Sequence, residues 1–363
     1  MRGPRGVRGR SPAAVAAGLV AIACASGRIP SSPAADEAVL RVGHVAMGCL
    51  FDVEARGVRT DVVDRIVATI DETDRALSTW DATSDLSRLN READRGPVRV
   101  GGVLADALRR AIELSSATAG AFDVTVGPLV EAYGFRGTGG RRVPSDEDLA
   151  RLRVLVGVGG LHVRGDEVSF DRPGMRVDLD GIGKGIAVDR VLDLLRREGV
   201  ADAYVSAGGS TIGSIGPPAG FAPRVVAIES PDGIAAGDVE LRDAALSTSG
   251  NWRNGFEAGG RWVGHVFDPR AGRPAETDVV SATVIAERAD ASDAFAKAFV
   301  IAGSSGAASL AARLGVEVVL LVRDTDGSIR VLRVGAHASP PTGAQAGTIS
   351  SFAESQRIGR PSR

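Results

Sequence analysis

One stretch of the sequence, residues 177–189, constrains the fold most, because it predicts a strand, a glycine loop and a helix in direct succession. The acidic pair Asp178 and Asp180 precedes three glycines that lie within five residues and surround Lys184. From residue 187 to residue 197 the apolar side chains recur at helical spacing. Glycines at such a junction let the backbone approach a ligand, and the first N–H groups of a helix favour a phosphate or another anion. A tight turn with a solvated lysine is the alternative interpretation.

The composition is that of a globular protein, with 44% hydrophobic and 24% charged residues. A length of 363 residues suffices for one large domain or for two ordinary ones. The net charge of −2 leaves no basic excess, so no nucleic-acid partner is expected.

The first 24 residues have the order of an export signal. Four arginines without any acidic residue precede an apolar run of small residues that is too short for a membrane span. The run ends at Ala23-Cys24, which resembles a bacterial lipoprotein signal in which Cys24 becomes the lipidated N-terminus; simple cleavage after Ala23 is the alternative. We therefore expect an exported protein on the periplasmic or extracytoplasmic face of the membrane, held there by a lipid anchor if Cys24 is acylated.

The rest of the chain is predicted to be a linker at residues 25–38, a folded domain at 39–335 and a disordered tail at 336–363. Apolar alternation predicts strands at residues 39–45, 50–55, 203–207, 225–229, 239–241, 245–249, 279–285, 316–322 and 329–334. Helical spacing predicts helices at residues 62–77, 103–118, 145–152 and 291–301. Thr60 and Ser145 are the expected caps of the first and third helices. Asp123 and Thr125 are expected to share a strand face, and residues 84–90 to form a polar connection.

Eight short segments, in the same order along the chain, carry a resemblance to a known family. They are Met47-Gly48; Leu77-Ser78 with residues 84–90; residues 120–129; residues 178–185; Gly208-Gly209; residues 248–250; His265 with Asp268-Pro269; and Asp293-Ala294. On these segments the chain resembles the ApbE family, the bacterial FAD:protein FMN transferases. The resemblance implies an α+β fold, with antiparallel sheets flanked by helices in two lobes around a flavin cleft.

The resemblance also implies a reaction and a site. FAD would be split at its pyrophosphate, FMN would pass to a Ser or Thr hydroxyl of a client flavoprotein, and AMP would leave. By position, His265 is the candidate base or phosphate partner, with a structural histidine as the alternative. Asp293 is the implied catalytic carboxylate and Mg²⁺ ligand, and Gly183 would lend the metal a backbone carbonyl. The residues implied for the flavin and adenine cleft are Met47, Trp80, Ala121, Phe122, Asp123, Asp180, Ile186 and Val266.

Trp80 and Lys297 need separate comment. A flat aromatic ring on a connecting loop suits stacking on a ring system, and a buried core tryptophan is the alternative. Lys297 stands where the family has a threonine metal ligand, and a charged lysine has no lone pair for a metal. With Asp293 it would form either an ordinary ion pair on an exposed helix or, in the cleft, a pair whose ammonium occupies the place of the cation. The milder departures from the family pattern are Cys49, Ser210 and Ala271.

Three functions remain open at this point. The first is an exported transferase that takes FAD as its substrate and a client flavoprotein as its partner. The second is a flavin-binding relative that has lost metal-dependent catalysis. The third is hydrolysis of FAD to FMN and AMP, with water as the acceptor. Lys297 is the residue that separates the first function from the second.

Overall fold

The structure of the protein is a computed structural model, and it describes residues 39–137, 139–218, 220–230, 235–252 and 254–335. The predicted export signal with Cys24, the linker and the C-terminal tail lie outside the described residues. The α-helices of the described part are α1 (Val62–Leu77), α2 (Asp85–Glu92), α3 (Gly102–Ala117), α4 (Gly127–Ala132), α5 (Asp146–Arg153), α6 (Gly183–Arg197) and α7 (Ala289–Leu314).

The described part contains strands that apolar alternation predicts and others that it does not. They are β1 (Val39–Ala46), β2 (Cys49–Arg56), β3 (Val98–Arg99), β4 (Leu161–Arg164), β5 (Glu167–Phe170), β6 (Ala203–Ala207), β7 (Thr211–Ile215), β8 (Arg224–Glu229), β9 (Ala235–Leu241), β10 (Ala245–Gly250), β11 (Gly255–Ala258), β12 (Arg261–Gly264), β13 (Phe267–Asp268), β14 (Arg273–Pro274), β15 (Val279–Ala286), β16 (Glu317–Arg323) and β17 (Ile329–Val334). The nine strands predicted from apolar alternation at residues 39–334 are each present within two residues at their N-terminal end, except β9, which begins four residues earlier.

An eight-stranded antiparallel sheet joins the two ends of the described part, in the order β1-β2-β6-β7-β10-β15-β16-β17. Smaller antiparallel sheets are β3-β5-β4, β8-β9, β11-β12 and β13-β14. In β2 the side chains of Phe51, Val53 and Ala55 are buried while Asp52 is exposed, as apolar alternation predicts. β15 is buried over almost its whole length, because separate apolar clusters cover its two faces. The combination of helices with antiparallel sheets confirms the predicted α+β class.

Helix α6 packs on strands β6 and β7 and on helices α1 and α7. Its buried side chains therefore lie on most of its sides, and they include Val188, Val191 and Leu195. Gly185 lies where α6 meets the start of α7, and a Cβ at this position would be 2.6 Å from the Cα of Asp290. Only glycine lets the two helices approach this closely, so part of the glycine run is explained by packing.

Helix α7 is longer than the predicted helix at 291–301 and contains one non-helical residue, Gly303, with φ 69°. Its length and apolar composition are those of a helix that can cross a membrane, a test that buried core helices also pass. Its first half is buried, and it packs on β10, β15 and α6. Core packing therefore explains why this helix is apolar.

Two predictions for residues 177–189 are wrong. Residues 177–180 do not form a strand, because backbone groups of Val177 and Asp178 make their hydrogen bonds to groups outside any sheet. The N–H and C=O of Val177 are each 2.8 Å from the side-chain amide of Asn90, and the N–H of Asp178 donates to the carbonyl of Val124 at 2.7 Å. The helix begins at Gly183 rather than at residue 187, so Lys184 lies in its first turn.

Three other local predictions need correction. Residues 84–90 supply most of α2 and its cap: the Ser84 side chain accepts from the Ser87 N–H. Asp123 and Thr125 lie in a turn, because the Thr125 N–H and hydroxyl both donate to Asp123 Oδ1, at 2.7 and 2.5 Å, in place of strand pairing. Helix α1 begins after residue 61 without a side-chain cap, so Thr60 does not cap it. The predicted cap of α5, Ser145, is confirmed.

Candidate functional site

The first turn of α6 forms one side of the candidate site. Lys184 Nζ donates to Ser210 Oγ at 2.6 Å, at the end of the β6–β7 hairpin. The N–H of Gly185 donates to Asp293 Oδ2 at 3.3 Å. The helix N-terminus that the sequence predicts as an anion site therefore already faces one carboxylate, which is supplied by α7.

Asp293 and Lys297 form an ion pair one turn apart on α7, in which the carboxylate is buried and the lysine is partly buried. The Lys297 ammonium donates to Asp293 Oδ1 and, at 3.0 Å, to the Asp293 carbonyl oxygen. Ser247 Oγ lies 3.3 Å from the same Oδ1. Asp293 is only 1% exposed, so the alternative of an exposed ion pair is wrong. Removal from water lowers the pKa of Lys297 in spite of its attraction to Asp293, and the charge of Lys184 lowers it further.

His265 lies between β12 and β13 and is half-buried. Its Nδ1 is 3.0 Å from the carbonyl oxygen of Asn254, which can only accept, so Nδ1 carries the proton and Nε2 is left as an acceptor. Removal from water lowers the pKa of His265 to about 4 against the opposing effect of the Asn254 bond, and the charges of Lys297, Arg141 and Lys184 lower it as well. The imidazole is therefore neutral at pH 7, which is the form that a general base needs.

Asp180 and Trp80 both contact one arginine, Arg136. The guanidinium of Arg136 donates to Asp180 and lies 3.3 Å from Asp178 Oδ2. Its central carbon is 4.3 Å from the centroid of the Trp80 ring. Trp80 is 69% exposed, so the alternative of a buried core tryptophan is wrong. The exposed ring is free of core packing and can stack on a flat ligand.

The remaining cleft residues implied by the resemblance are mainly apolar. Three of them, Phe122, Ile186 and Val266, belong to the largest buried apolar cluster. Ala121, which precedes Phe122 in the sequence, is also buried. Two glycines of the 177–189 stretch lie against this apolar group: a Cβ at Gly181 would be 3.1 Å from Phe122, and one at Gly183 would be 3.0 Å from Met47 Cε. Met47 and Phe122 therefore both lie against the glycines of residues 177–189.

Asp123 uses both of its carboxylate oxygens within the chain. Oδ1 accepts from Thr125, and Oδ2 accepts from the Val158 N–H at 2.9 Å. Burial raises the pKa of Asp123, and these three hydrogen bonds oppose that rise. In this conformation the carboxylate holds the turn that follows Ala121 and Phe122.

Three side chains that hold the site together were not predicted from the sequence. Asn90 fixes the backbone before Asp178, Arg136 holds Asp178 and Asp180, and Ser247 contacts Asp293. Asn90 lies within a segment that carries the resemblance and Ser247 lies next to one, which is the signal that marks them, whereas Arg136 lies outside these segments. Their partners are 42 to 87 residues away in the sequence, so no local pattern indicates these contacts.

The residues at the contact of α6 with α7 do not fit the Mg²⁺ that the resemblance implies. Both oxygens of Asp293 accept hydrogen bonds, and Lys297 offers no lone pair. Mg²⁺ requires a near-octahedral shell of oxygen ligands. Within the described part of the chain, no group of three or more His, Cys, Asp or Glu side chains is placed to hold a metal ion.

Comparison with known proteins gives a consistent answer. Residues 47–320 match the model of the ApbE family. The FAD:protein FMN transferase of Klebsiella pneumoniae is 32% identical over 317 residues, which cover 84% of this chain and 89% of that protein. The FAD:protein FMN transferase of Vibrio cholerae serotype O1 is 34% identical over 279 residues, covering 76% of this chain and 82% of that protein.

Solved structures agree with these relatives. The flavin transferase ApbE from Vibrio cholerae superposes with a TM-score of 0.73 at 30% identity, over 82% of this chain and 97% of that chain. The apo form of the flavinyl transferase ApbE from Pseudomonas stutzeri gives a TM-score of 0.75 at 30% identity, over 82% and 95%. The family match contains all eight segments on which the resemblance rests. From its sequence, its fold and these comparisons, the chain belongs to the ApbE family.

Proposed function

We propose that this chain transfers FMN from FAD to a Ser or Thr hydroxyl of a client flavoprotein, forming a phosphoester and releasing AMP. The proposal rests on one observation: a single site contains the first turn of α6 with the Lys184 ammonium, the Lys297 ammonium of α7 and the neutral imidazole of His265. The ammonium groups offset the charge that a pyrophosphate brings, and the imidazole accepts a hydroxyl proton. The relatives named FAD:protein FMN transferase support the same reaction.

The reaction is a single displacement at phosphorus. The client hydroxyl oxygen forms a bond to the phosphorus of the FMN half, and the bond from that phosphorus to the bridging oxygen breaks. AMP leaves with the bridging oxygen. His265 Nε2 takes the proton of the attacking hydroxyl, because Nδ1 already donates to Asn254. Lys184 and Lys297 stabilise the charge that develops on the departing phosphate.

The flavin and the adenine are proposed to bind beside this phosphate position. The residues proposed to contact them are Met47, Trp80, Ala121, Phe122, Asp123, Asp180, Ile186 and Val266. Support comes from Met47 and Phe122, which lie next to the glycines that precede and open α6. It also comes from Trp80, whose ring is exposed and already in contact with a planar group, the Arg136 guanidinium.

The test is incubation of the purified protein with FAD and a client domain that carries a Ser or Thr acceptor. The expected result is a client that stays fluorescent on a denaturing gel and gains the mass of one FMN phosphoester, with one AMP released. A client whose acceptor is replaced by Ala is the control and should stay unlabelled. Free FMN with AMP would instead indicate hydrolysis, and retained intact FAD would indicate a flavin-binding protein without transfer.

We also propose that the protein is exported and that a lipid on Cys24 tethers it to the outer face of the membrane. The support is the sequence of residues 1–24, an arginine-rich start followed by a short apolar run that ends at Cys24. Mass measurement of the mature N-terminus tests this. A diacylated Cys24 in the membrane fraction is expected, and an unmodified N-terminus in the soluble fraction would contradict the anchor.

A further inference from the structure

Lysine is scarce in this chain, and both lysines lie in the candidate site. Of the 43 Lys and Arg residues, only Lys184 and Lys297 are lysine. Lys184 lies in the first turn of α6 and Lys297 on the buried half of α7, and the charge of each lowers the pKa of His265. The other cationic side chains of the chain are arginines. Two lysines at one place therefore need a chemical reason of their own.

The contacts of Lys297 leave part of its ammonium for a ligand. A lysine ammonium is a compact charge with three N–H donors, whereas an arginine is a planar fork. Lys297 directs two donors to Asp293, one to Oδ1 and one to the carbonyl oxygen. Its stem passes the glycine stretch, since a Cβ at Gly181 would be 3.8 Å from Lys297 Cε. The end of the Lys297 side chain is thus close to the backbone that forms one wall of the site.

The two lysines differ in the charge of their hydrogen-bond partners. Asp293 pairs with Lys297, whereas Lys184 donates to an uncharged group, the Ser210 hydroxyl. Burial keeps Cys49, which is close enough to feel the charge of Lys184, in its neutral thiol form by raising its pKa. His265 is neutral at pH 7 because its pKa is about 4. Within the described part of the chain, the Lys184 ammonium therefore has no acidic hydrogen-bond partner, and an anion would offset its charge.

We propose that the Lys297 ammonium takes the place of a divalent metal ion, so that this chain binds the pyrophosphate of FAD between Lys184 and Lys297 without Mg²⁺. The inference rests on the proposed function, because it takes FAD as the ligand. The donor set supports it: Asp293 is already neutralised by an ammonium on its own helix, and Lys297 supplies no oxygen. A cation that is part of the chain is present in every molecule and needs no metal to be recruited.

The experiment is a calorimetric titration of FAD into the full chain, carried out once with EDTA and once with Mg²⁺. The wild-type dissociation constant is expected to change less than about twofold between the two conditions. Lys297→Met, which keeps the stem and removes the charge, is expected to weaken binding about tenfold or more in both. Lys297→Thr is expected to bind weakly in EDTA and to recover when Mg²⁺ is added, because threonine returns an oxygen ligand.

The matched control is the same substitution at the other lysine. Lys184→Thr should weaken FAD binding to a similar degree with EDTA and with Mg²⁺, because residue 184 is not beside Asp293 Oδ1. Circular dichroism and thermal unfolding check that each variant is folded. Wild-type binding that requires Mg²⁺ would overturn the inference and leave the proposed function standing. Absence of FAD binding in both conditions would overturn the proposed function itself.

A second measurement uses the scarcity of lysine directly. Reductive methylation modifies primary amines, so in this chain it reports on Lys184, Lys297 and the N-terminal amine alone. FAD added with EDTA is expected to protect both lysines, with peptide mass spectrometry as the readout and the N-terminal amine as the internal reference. Equal methylation of Lys297 with and without FAD would overturn the inference, whether or not the transferase reaction occurs.

Discussion

Two groups of buried charges lie side by side where α6 meets α7, and they are built from different cations. The arginine cluster consists of Asp189, Asp290, Arg110 and Arg288. The lysine cluster consists of Asp293, Lys184 and Lys297. Each cluster takes one carboxylate from the first two turns of α7, so the two share their scaffold and differ in what surrounds the acid.

The arginine cluster is saturated by the chain itself. Arg110 grips Asp290 with two hydrogen bonds of 3.0 and 3.1 Å. Asp189 accepts the N–H groups of Ala289 and Asp290, both at 2.9 Å, and so satisfies two backbone donors at the start of α7. Burial, together with the nearby charge of Asp290, raises the pKa of Asp189 to about 7. This arrangement fixes the two helices against each other and offers little to a ligand.

The lysine cluster is left incomplete by the chain. Asp293 pairs with Lys297, whereas Lys184 has a hydroxyl rather than a carboxylate as its hydrogen-bond partner. In this chain the forked arginine pair stabilises a buried contact between helices, whereas the compact lysine charges remain available to an anion. Substitutions on the two sides should therefore affect different properties, stability on one side and ligand chemistry on the other.

The largest effect is expected next to the lysine cluster, at His265. His265→Ala should lower the single-turnover transfer rate by roughly 10²–10⁴-fold, because the client hydroxyl loses its proton acceptor. FAD affinity and the thermal midpoint should change little. In the wild type, the pKa of about 4 means that His265 is neutral above that pH, so the rate should fall only as the pH drops toward 4. A fully active variant would remove His265 from the mechanism.

The next effect is expected in the arginine cluster. Arg110→Met should lower the free energy of unfolding by about 3 kcal/mol, because it leaves the buried Asp290 without its forked partner. Urea unfolding measures this, and FAD affinity should stay unchanged. Arg109→Met is the matched control: its exposed pair with Asp106 should be worth less than about 1 kcal/mol. Equal losses in the two variants would contradict the structural part given to the arginine cluster.

A smaller effect is expected in the pH dependence of stability. The pKa of Asp189 is about 7 in the folded state against 3.8 when unperturbed, so the folded state binds this proton more tightly. Its contribution is full at low pH and is lost as the pH rises toward 7, because the raised pKa favours the protonated carboxyl in the folded state. Asp189→Asn should lower stability overall and flatten this slope. Urea midpoints from pH 4 to pH 8 measure it, and an unchanged slope would assign the titration to another group.

The smallest effect is expected at the edge of the lysine cluster. Ser247→Ala removes a hydroxyl that lies 3.3 Å from Asp293 Oδ1 and 3.1 Å from the Ser210 carbonyl oxygen, and it should cost about 1 kcal/mol of stability and a few-fold in FAD affinity. Thr248→Val removes the neighbouring hydroxyl, which contacts Thr283 across the sheet, and should cost similar stability without a change in affinity. Equal affinities in both variants would place Ser247 outside the site.

Much of the fold was predictable from local patterns. The β1–β2 and β16–β17 hairpins, helices α1 and α3, and the Ser145 cap of α5 all follow from apolar periodicity and turn chemistry. Two of the errors, at residues 177–180 and 123–125, occurred where a polar side chain replaces a backbone partner. Asn90 takes the place of a neighbouring strand at Val177, and Asp123 takes the place of one at Thr125. Apolar periodicity does not indicate such side-chain hydrogen bonds, because it depends on apolar residues only.

The family pattern, including the residue that departs from it, Lys297, could be read from the sequence alone. The packing of distant segments made Asp293 buried and Lys297 partly buried, and it brought Lys184 to the same site. It also decided that Arg136 joins Trp80 to Asp180. The physical reason is that burial and charge proximity depend on how distant segments pack, and the strength of an ion pair depends on the water that packing removes.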